Sequence, residues 1–163
     1  MPTPDFILAL RAKVGHAPLW LSGATAVTIR QGPDGPEVLL VKRADNGVWE
    51  PVAGIVDPGE EPHLAAIRES AEEASVMVEV ERLAWLHVLE PVRYANGDVT
   101  QYLDHTFRCR WVSGEPRPGD EEATEARFFP VRALPPMPPD CAERIAIALQ
   151  DRPDTVLGPL DRA

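Results

Sequence analysis

The stretch GIVDPGEEPHLAAIRESAEEASV, residues 54–76, places five glutamates in a segment with the periodicity of an amphipathic helix. We predict that this helix starts at residues 61–62, because proline is tolerated and acidic residues are favoured in a first helical turn. At 100° per residue, Glu69, Glu72 and Glu73 project within an arc of roughly 100°. The helix therefore brings three carboxylates to one side.

The opposite side of this helix is apolar, and we expect it to pack on a sheet. It is formed by Leu64, Ile67, Ala71 and Ala74. A solvated charged face is the simplest interpretation of the acidic side. However, Glu69 and Glu73 form a like-charge pair at i,i+4, which costs on the order of a few tenths of a kcal/mol, and only Arg68 is near enough in sequence to offset it. Converging carboxylates are the ligands that a hard cation such as Mg²⁺ needs, so the pattern also predicts a metal site.

The turn before the helix supports the metal interpretation. Gly54 ends an apolar strand, and Asp57-Pro58-Gly59 forms a turn that lets Glu60 fold back toward the helix. A strand, a loop and a helix would therefore gather carbonyl and carboxylate oxygens around one spot.

The composition is that of one globular domain. The chain has 163 residues, of which 44% are apolar and 26% are charged, and a chain near 150 residues buries about 70% of its unfolded surface. The formal net charge of −10, from 26 acidic and 16 basic residues, argues against a nucleic acid or an anionic membrane as partner. A small anionic substrate would approach with the help of a metal cation.

The cysteines and the first residues of the chain bear on the cellular compartment of the protein. The two cysteines, Cys109 and Cys141, lack zinc-ligand or redox spacing. The first residues carry Asp5 and no long apolar run, so we expect no signal peptide. No apolar stretch approaches the roughly 18 residues of a membrane span. We therefore expect a reduced, cytoplasmic protein.

The rest of the chain is rich in extended, branched segments. Three turn pairs separate them: Asp34-Gly35, Asn46-Gly47 and Asn96-Gly97. Residues 126–134 add a further predicted strand. Two helices flank this region. Residues 4–14 show helical spacing of apolar residues, and a capping-box pattern with Asp140 as N-cap and Glu143 three positions on opens a terminal helix.

We interpret the chain as a single domain, residues 1–163. It comprises an N-terminal helical extension (1–18), a core (20–150) and a tail (151–163) that we expect to be poorly ordered or peripheral. The N-terminal helix is expected either to lie on the domain or to form a homodimer contact.

The spacing within residues 54–76 resembles the Nudix box. That motif reads glycine, five residues, glutamate, seven residues, Arg-Glu, an apolar residue, any residue, Glu-Glu, any residue, glycine and an apolar residue. The positions that match at their spacing are Gly54, Glu60, Arg68-Glu69 and Glu72-Glu73. Ser70 and Ser75 stand where an apolar residue and a glycine are usual. We expect Ser70 to be solvated on the helix flank. We expect Ser75 to take a left-handed conformation at a cost on the order of 1 kcal/mol, or to shift the helix exit slightly.

The resemblance implies an α/β fold, a Nudix-type α/β/α sandwich around a mixed β-sheet, over residues 20–135. It also implies an enzyme that uses Mg²⁺, or Mn²⁺ in its place, to cleave the pyrophosphate linkage of a nucleoside diphosphate derivative. By this resemblance the metal ligands are Glu69, Glu72, Glu73 and the carbonyl of Ala53. Arg68 would orient the carboxylates, and Glu60 would brace the loop.

A downstream acidic loop is the second candidate region. Glu122 matches the position of a later metal-binding or general-base carboxylate in many relatives, with Glu121 and Glu125 as rivals. A solvated acidic turn is the competing interpretation, and the general base stays open between this loop and the box. Arg43 is either a ligand of the substrate phosphate or an ordinary strand-end arginine. Trp49 is either a core residue or part of the substrate pocket, as a wall or as a stacking platform.

The substrate signals conflict. Relatives that cleave ADP-ribose often carry a proline where Pro91 lies, and those that cleave dinucleoside polyphosphates often carry a tyrosine where Tyr94 lies. We favour ADP-ribose or a nucleotide sugar and keep dinucleoside polyphosphates and oxidised deoxynucleoside triphosphates as alternatives. A nucleotide-sensing module is the non-enzyme alternative, which the complete set of box glutamates disfavours. An isopentenyl diphosphate isomerase would rely on a cysteine, and Cys109 lies in a predicted strand, where a structural thiol is commoner.

Overall fold

The computed structural model describes residues 3–160 and shows one mixed sheet with helices on both faces. The α-helices are α1 (Asp5–Val14), α2 (Pro62–Ala74) and α3 (Pro139–Leu149). The strands are β1 (Leu19–Gly32), β2 (Gly35–Arg43), β3 (Trp49–Glu50), β4 (Val52–Ile55), β5 (Met77–Val88), β6 (Val92–Arg93), β7 (Val99–Ser113), β8 (Ala123–Pro130) and β9 (Val156–Leu157). A short 3₁₀ helix, Val131–Ala133, follows β8.

The sheet mixes parallel and antiparallel pairs. Its order is β3-β2-β1-β7-β5-β9, with β4 also paired to β1, β6 to β7 and β8 to β2. The long central strands β1 and β7 run parallel, as do β5 and β9, whereas the other pairs are antiparallel. The predicted α/β class with a mixed sheet is therefore confirmed.

Alternate side chains of the strands form a core on each face of the sheet. The core under α2 includes Ala24, Ala26, Leu39, Val41 and Phe107. The core under α3 includes Val27, Val38, Leu40, Trp85 and Ile145. Successive side chains of a strand point to opposite faces, so β1 and β2 each supply both cores. The result is the α/β/α sandwich that the resemblance to the Nudix family implies.

The predicted turns and the N-terminal helix are confirmed. All three glycines of the turn pairs have positive φ: Gly35, Gly47 and Gly97. α1 begins one residue later than its predicted start and ends at the predicted residue. Arg11 fastens it to the sheet, because its Nη2 donates to the carbonyl of Val99 at 2.8 Å.

The predicted capping box at Asp140 is wrong. α3 begins two residues earlier than that cap implies, at Pro139, with Pro138 at the cap position and no side-chain capping bond. A proline in the first turn has the helical φ already set and lacks the N–H that a cap would satisfy. The Asp140 carboxylate instead lies 3.1 Å from the guanidinium of Arg144, one helical turn on.

The segment after α3 extends the sheet. β9 runs parallel to β5 at the sheet edge. The indole N–H of Trp85 donates to the carbonyl of Gly158 at 2.8 Å, and the hydroxyl of Thr155 donates to the carbonyl of Leu83 at 2.9 Å. These contacts hold the first part of the predicted tail against the sheet, whereas residues 161–163 lie outside the described residues. Within 3–160, no helix is long and apolar enough to cross a membrane.

Candidate active site

α2 presents two of its glutamates to the sheet. Its buried side is formed by Ala65, Ala66, Glu69, Ser70, Glu73 and Ala74. The predicted apolar stripe is confirmed for Ala74, which is fully buried, and for Ile67, which packs partly buried against the core. It is wrong for Leu64, which is 49% exposed, and for Ala71, which is exposed. Small residues on the buried side let the helix approach the strands closely, which the larger Leu64 would not allow.

The structure contradicts the prediction for one of the two serines that depart from the Nudix box and confirms the prediction for the other. Ser70 is fully buried rather than solvated, and its hydroxyl donates to the carbonyl of Ala66 at 2.8 Å, so the helix itself satisfies the buried group. Ser75 lies at the helix exit with φ 57° and ψ 33°, as predicted. Its N–H bonds to the carbonyl of Ala71 at 3.2 Å.

Glycine is required where α2 lies against β4. A Cβ at Gly54 would lie 2.0 Å from Oε1 and 2.1 Å from Cδ of Glu69. The sheet fixes the backbone here, because Gly54 is paired with Ala24 of β1. The Glu69 carboxylate therefore lies directly on the backbone of β4, next to Ala53.

The Arg68 guanidinium joins the loop before α2 to the helix. Its Nε and Nη2 donate to the two carboxylate oxygens of Glu60, each at 2.9 Å. Its Nη1 donates to Glu69 at 2.7 Å and to Glu72 at 3.2 Å. Glu60 also accepts the N–H of Asp57 at 3.1 Å. The bonds from Arg68 lower the pKa of Glu60, so this carboxylate is ionised and keeps the guanidinium in place.

Glu73 is a buried carboxylate with like charges around it. Glu69 and Glu73 are 3% and 7% exposed. Burial, and then the negative charges of Glu69, Asp120 and Glu50, raise the pKa of Glu73 to about 8. Burial also raises the pKa of Glu69, although Arg68 opposes this. The arrangement leaves a negative charge that a bound cation or a proton would neutralise.

A cleft opens beside Glu73, at the ends of β2 and β4. It is lined by Val41, Arg43, Glu50, Ala53, Glu73, Glu122 and Ala123. Four of these are predicted site residues: Arg43, Ala53, Glu73 and Glu122. Two carboxylates hold Arg43, because its Nε and Nη2 donate to Asp45 at 2.8 and 2.7 Å and its Nη1 donates to Glu50 at 3.1 Å. Its side chain remains 42% exposed.

Glu50 is a charged lining residue that the sequence analysis missed. It lies in β3 and pairs with Val41 of β2. Burial raises its pKa, against the opposing charge of Arg43. The available signal was its position in the stretch VWEPVAG, two residues before Val52, because strand alternation puts these two side chains on the same face.

The acidic loop before β8 brings Glu122, and not its rivals, to the cleft lining. Glu125 instead pairs with Lys42 of β2 at 2.9 Å. Glu121 is exposed. Asp120, which the sequence analysis did not single out, comes from the same loop and is one of the charges acting on Glu73.

Two residues with predicted alternative roles lie in the cores. Trp49 is 8% exposed and belongs to the core under α3, where its ring meets that of Phe129 edge-on at a centroid distance of 4.8 Å. It is not among the described residues that line the cleft, so the structure favours the core role over a substrate contact. Cys109 is fully buried, and burial raises its pKa to about 12. A thiol in that environment is not the reactive group that an isomerase would use.

Pro91 and Tyr94, which carry the two substrate signals, are not among the described residues that line the cleft. Pro91 lies between β5 and β6. The hydroxyl of Tyr94 forms a hydrogen bond with the hydroxyl of Tyr102 at 3.1 Å. The geometry therefore does not decide between the two substrate classes.

The donors at the cleft suit a hard divalent cation, although they are not preassembled. In the part of the chain that the structure describes, no three histidine, cysteine, aspartate or glutamate side chains are arranged to hold a metal ion. Arg68 already binds carboxylate oxygens of Glu69 and Glu72. The buried carboxylate of Glu73 and the neighbouring residue Ala53 nevertheless offer the oxygen ligands that Mg²⁺ prefers. The chemistry of the donor set therefore fits the metal that the box implies.

Known proteins resemble this chain in sequence. Residues 21–149 match the family described as NUDIX domain. The NAD-capped RNA hydrolase NudC of Pseudomonas aeruginosa is 37% identical over 106 residues, which are 64% of this chain and 35% of that protein. The chain thus spans about a third of the length of this curated relative. A MutT-like protein of Streptomyces ambofaciens is 29% identical over 137 residues, 84% of this chain and 79% of that protein.

A solved structure shares the fold. An ADP-ribose pyrophosphatase from Streptococcus suis superimposes with a TM-score of 0.63, covering 84% of this chain and 98% of that one at 22% identity. At this identity the likeness concerns the fold alone, and it agrees with the sandwich described above.

Proposed function

The chain belongs to the Nudix family, since residues 21–149 of its 163 match that family, and on this premise we propose that it hydrolyses the pyrophosphate linkage of a nucleoside diphosphate derivative. The observation that carries the proposal is the cleft in which the buried Glu73 meets Arg43, Ala53 and Glu122. It combines a partly exposed cation for phosphate with one buried carboxylate, that of Glu73, and exposed oxygen donors on Ala53 and Glu122 for a metal.

The side chains around the cleft have separate tasks in the proposed reaction. Arg43 would bind a phosphate oxygen, since it lines the cleft and its side chain is 42% exposed. Arg68 keeps Glu69 and Glu72 oriented through its hydrogen bonds to both, and Glu60 holds Arg68 from the loop side. Orientation fixed before the substrate arrives is what makes electrostatic stabilisation effective.

We propose Mg²⁺ as the cofactor, with Mn²⁺ as a substitute. It would be held by Glu69, Glu72, Glu73, Glu122 and the carbonyl of Ala53. When bound, the ion would neutralise charge on the pyrophosphate and favour in-line attack of water on phosphorus. Glu122 is our candidate for the general base, because it reaches the cleft from a loop outside the Arg68 network. Glutamine variants of Glu122 and Glu73 would separate this role from that of the box.

ADP-ribose or a related nucleotide sugar is the substrate class that we propose. The relative from P. aeruginosa is named for NAD-capped RNA, and the structure from S. suis is named for ADP-ribose. NAD and ADP-ribose share an adenosine diphosphate that is joined to a second ribose. The net charge of −10 favours a small molecule over the body of an RNA, and a cytoplasmic location fits the two free, buried cysteines.

A substrate panel tests this proposal. Products would be quantified by chromatography after incubation with ADP-ribose, nucleotide sugars, NAD, dinucleoside polyphosphates, oxidised deoxynucleoside triphosphates and NAD-capped RNA, in Mg²⁺ and in chelator. We expect Mg²⁺-dependent turnover of ADP-ribose or a nucleotide sugar. Turnover of capped RNA alone would overturn the substrate class. Nucleotide binding without turnover of any compound would favour the sensing module.

A further inference from the structure

The loop between β7 and β8 packs against the end of α2. At Gly119 a Cβ would lie 1.9 Å from the carbonyl oxygen and 2.9 Å from the carbonyl carbon of Glu72. Both are backbone atoms of a helix whose buried side is packed on the sheet, so they have little room to move aside. Only glycine fits at this position without displacing the loop.

Two backbone hydrogen bonds hold the loop against the helix. The N–H of Gly119 donates to the carbonyl of Glu73 at 3.0 Å, and the N–H of Arg117 donates to the carbonyl of Ala74 at 3.1 Å. The last carbonyls of a helix have no partner within the helix, so the loop supplies donors for two of them. Gly114 makes a second close approach, since a Cβ there would lie 2.6 Å from the carbonyl oxygen of Ser75.

The same loop leads directly to the acidic residues beside the cleft. Asp120 follows Gly119, and its Oδ1 accepts the N–H of Glu122 at 2.9 Å. The carbonyl of Glu122 accepts the N–H of Ala44 at 2.7 Å, which ties this end of the loop to the residue after β2. The positions of both carboxylates relative to α2 therefore depend on how the loop contacts the helix.

We propose that Gly119 is a positioning residue, which docks the β7–β8 loop on the last turn of α2 and thereby places Asp120 and Glu122 beside Glu73. The docking sets the affinity of the cleft for a divalent cation. The inference rests on the proposed function in one respect, namely that the cleft binds such a cation. It goes beyond that function because it assigns the geometry of the cleft to a residue that does not line it.

The variant Gly119→Ala tests the docking in the full-length chain. The added methyl group would displace the loop, so we expect the amide of Arg117 to lose protection in hydrogen exchange. We expect the affinity for Mn²⁺ alone, measured by calorimetry, to fall roughly tenfold or more, as for other residues that orient metal ligands. Gly158→Ala is the matched control. That glycine has φ +73° and nothing within 4 Å of an added Cβ, so it introduces backbone strain away from the cleft.

A double-variant cycle separates positioning from general destabilisation. If Gly119 acts through Glu122, then Gly119→Ala weakens Mn²⁺ binding little further in a chain that already carries Glu122→Gln. If the loss of Mn²⁺ affinity in the double variant equals the product of the losses in the two single variants, the inference is overturned. Unchanged Mn²⁺ affinity in Gly119→Ala, with amide protection lost, would also overturn it. If Gly119→Ala does not fold, Gly114→Ala is the second variant, and the same outcomes apply.

The measurements also distinguish this inference from the proposed function. If the wild-type protein binds no Mn²⁺, then the metal-dependent function and the inference both fail. If the wild type binds Mn²⁺ and turns over substrate while Gly119→Ala binds Mn²⁺ equally well, then only the inference fails.

Discussion

Replacing Glu73 by glutamine is expected to stabilise the metal-free protein while it removes function. Burial and neighbouring carboxylates raise the pKa of Glu73 from 4.5 to about 8. At pH 7 the unfolded chain carries this group ionised, whereas the folded protein holds it protonated. Glu73 therefore releases a proton when the protein unfolds at pH 7, which favours the unfolded chain. Relative to pH 4.5, this lowers the free energy of unfolding at pH 7 by up to about 3 kcal/mol, at about 1.4 kcal/mol per pH unit. Glutamine resembles the protonated carboxyl group, so Glu73→Gln should recover much of that free energy.

The contribution of Glu73 to the free energy of unfolding depends on pH, and its sign follows from the raised pKa. Between pH 4.5 and about 8, the folded protein binds one more proton at Glu73 than the unfolded chain does. The contribution of Glu73 to the free energy of unfolding therefore falls as the pH rises through this window and levels off above it. In Glu73→Gln this contribution is absent, so the variant and the wild type should differ most near pH 8 and least near pH 4.5.

Added Mg²⁺ should reverse the order of the two proteins. An ion that binds only the folded state stabilises it by about 2.7 kcal/mol at a hundred times its Kd, and the variant lacks the carboxylate that we propose as a ligand. Urea denaturation in chelator and in Mg²⁺, at about pH 5, 7 and 8, measures both effects. Glu121→Gln is the matched control, since Glu121 is an exposed carboxylate of the nearby loop. A variant less stable than wild type in chelator at pH 7, or stabilised equally by Mg²⁺, would refute the reasoning.

Three further predictions concern backbone strain, close packing and a buried histidine. Ser75→Gly should raise the free energy of unfolding by about 1 kcal/mol, because it relieves the left-handed conformation at φ 57°; an unchanged or lower melting temperature in calorimetry would contradict this. Gly54→Ala should lower turnover by roughly tenfold or more with the fold retained by circular dichroism, since its Cβ would displace the Glu69 carboxylate; wild-type turnover would show that the close approach is not needed. Burial lowers the pKa of His87, so the unfolded chain takes up this proton first as the pH falls below about 6.5, and stability should fall there. In His87→Asn the urea midpoint should therefore fall less between about pH 7 and pH 5 than in the wild type. An equal fall of the midpoint in both proteins would contradict the assignment.

The local part of the candidate site could be predicted from the sequence. The bidentate contact of Arg68 with Glu60 spans eight positions, and the contacts of Arg68 with Glu69 and Glu72 span one and four. The box spacing places these groups near one another because a turn followed by a helix has few ways to arrange them. The hairpin turns were predictable for the same reason, since their chemistry is local.

The rotation of α2 and the remaining cleft residues depend on contacts between distant segments. Hydrophobicity alone favours Leu64 on the buried side, yet the helix buries the Glu69 carboxylate against the glycine backbone of β4. Glu50 reaches the cleft through the pairing of β3 with β2, and Asp120 through the docking of a loop on α2. These contacts join segments that are distant in sequence, so local patterns reveal them only in part: strand alternation relates Glu50 to Val52, but not to the strand that β3 pairs with.

The central claim is that Glu73 and its neighbours hold a metal that drives pyrophosphate hydrolysis. The most direct test is the rate at which the wild-type protein and Glu73→Gln hydrolyse the substrate identified by the panel, ADP-ribose first, in Mg²⁺ and in chelator, with both products quantified by chromatography. We predict AMP and ribose 5-phosphate in equal amounts from the wild type in Mg²⁺ only, and loss of most turnover in a variant that remains folded. Wild-type rates in Glu73→Gln, or undiminished turnover in chelator, would contradict the account.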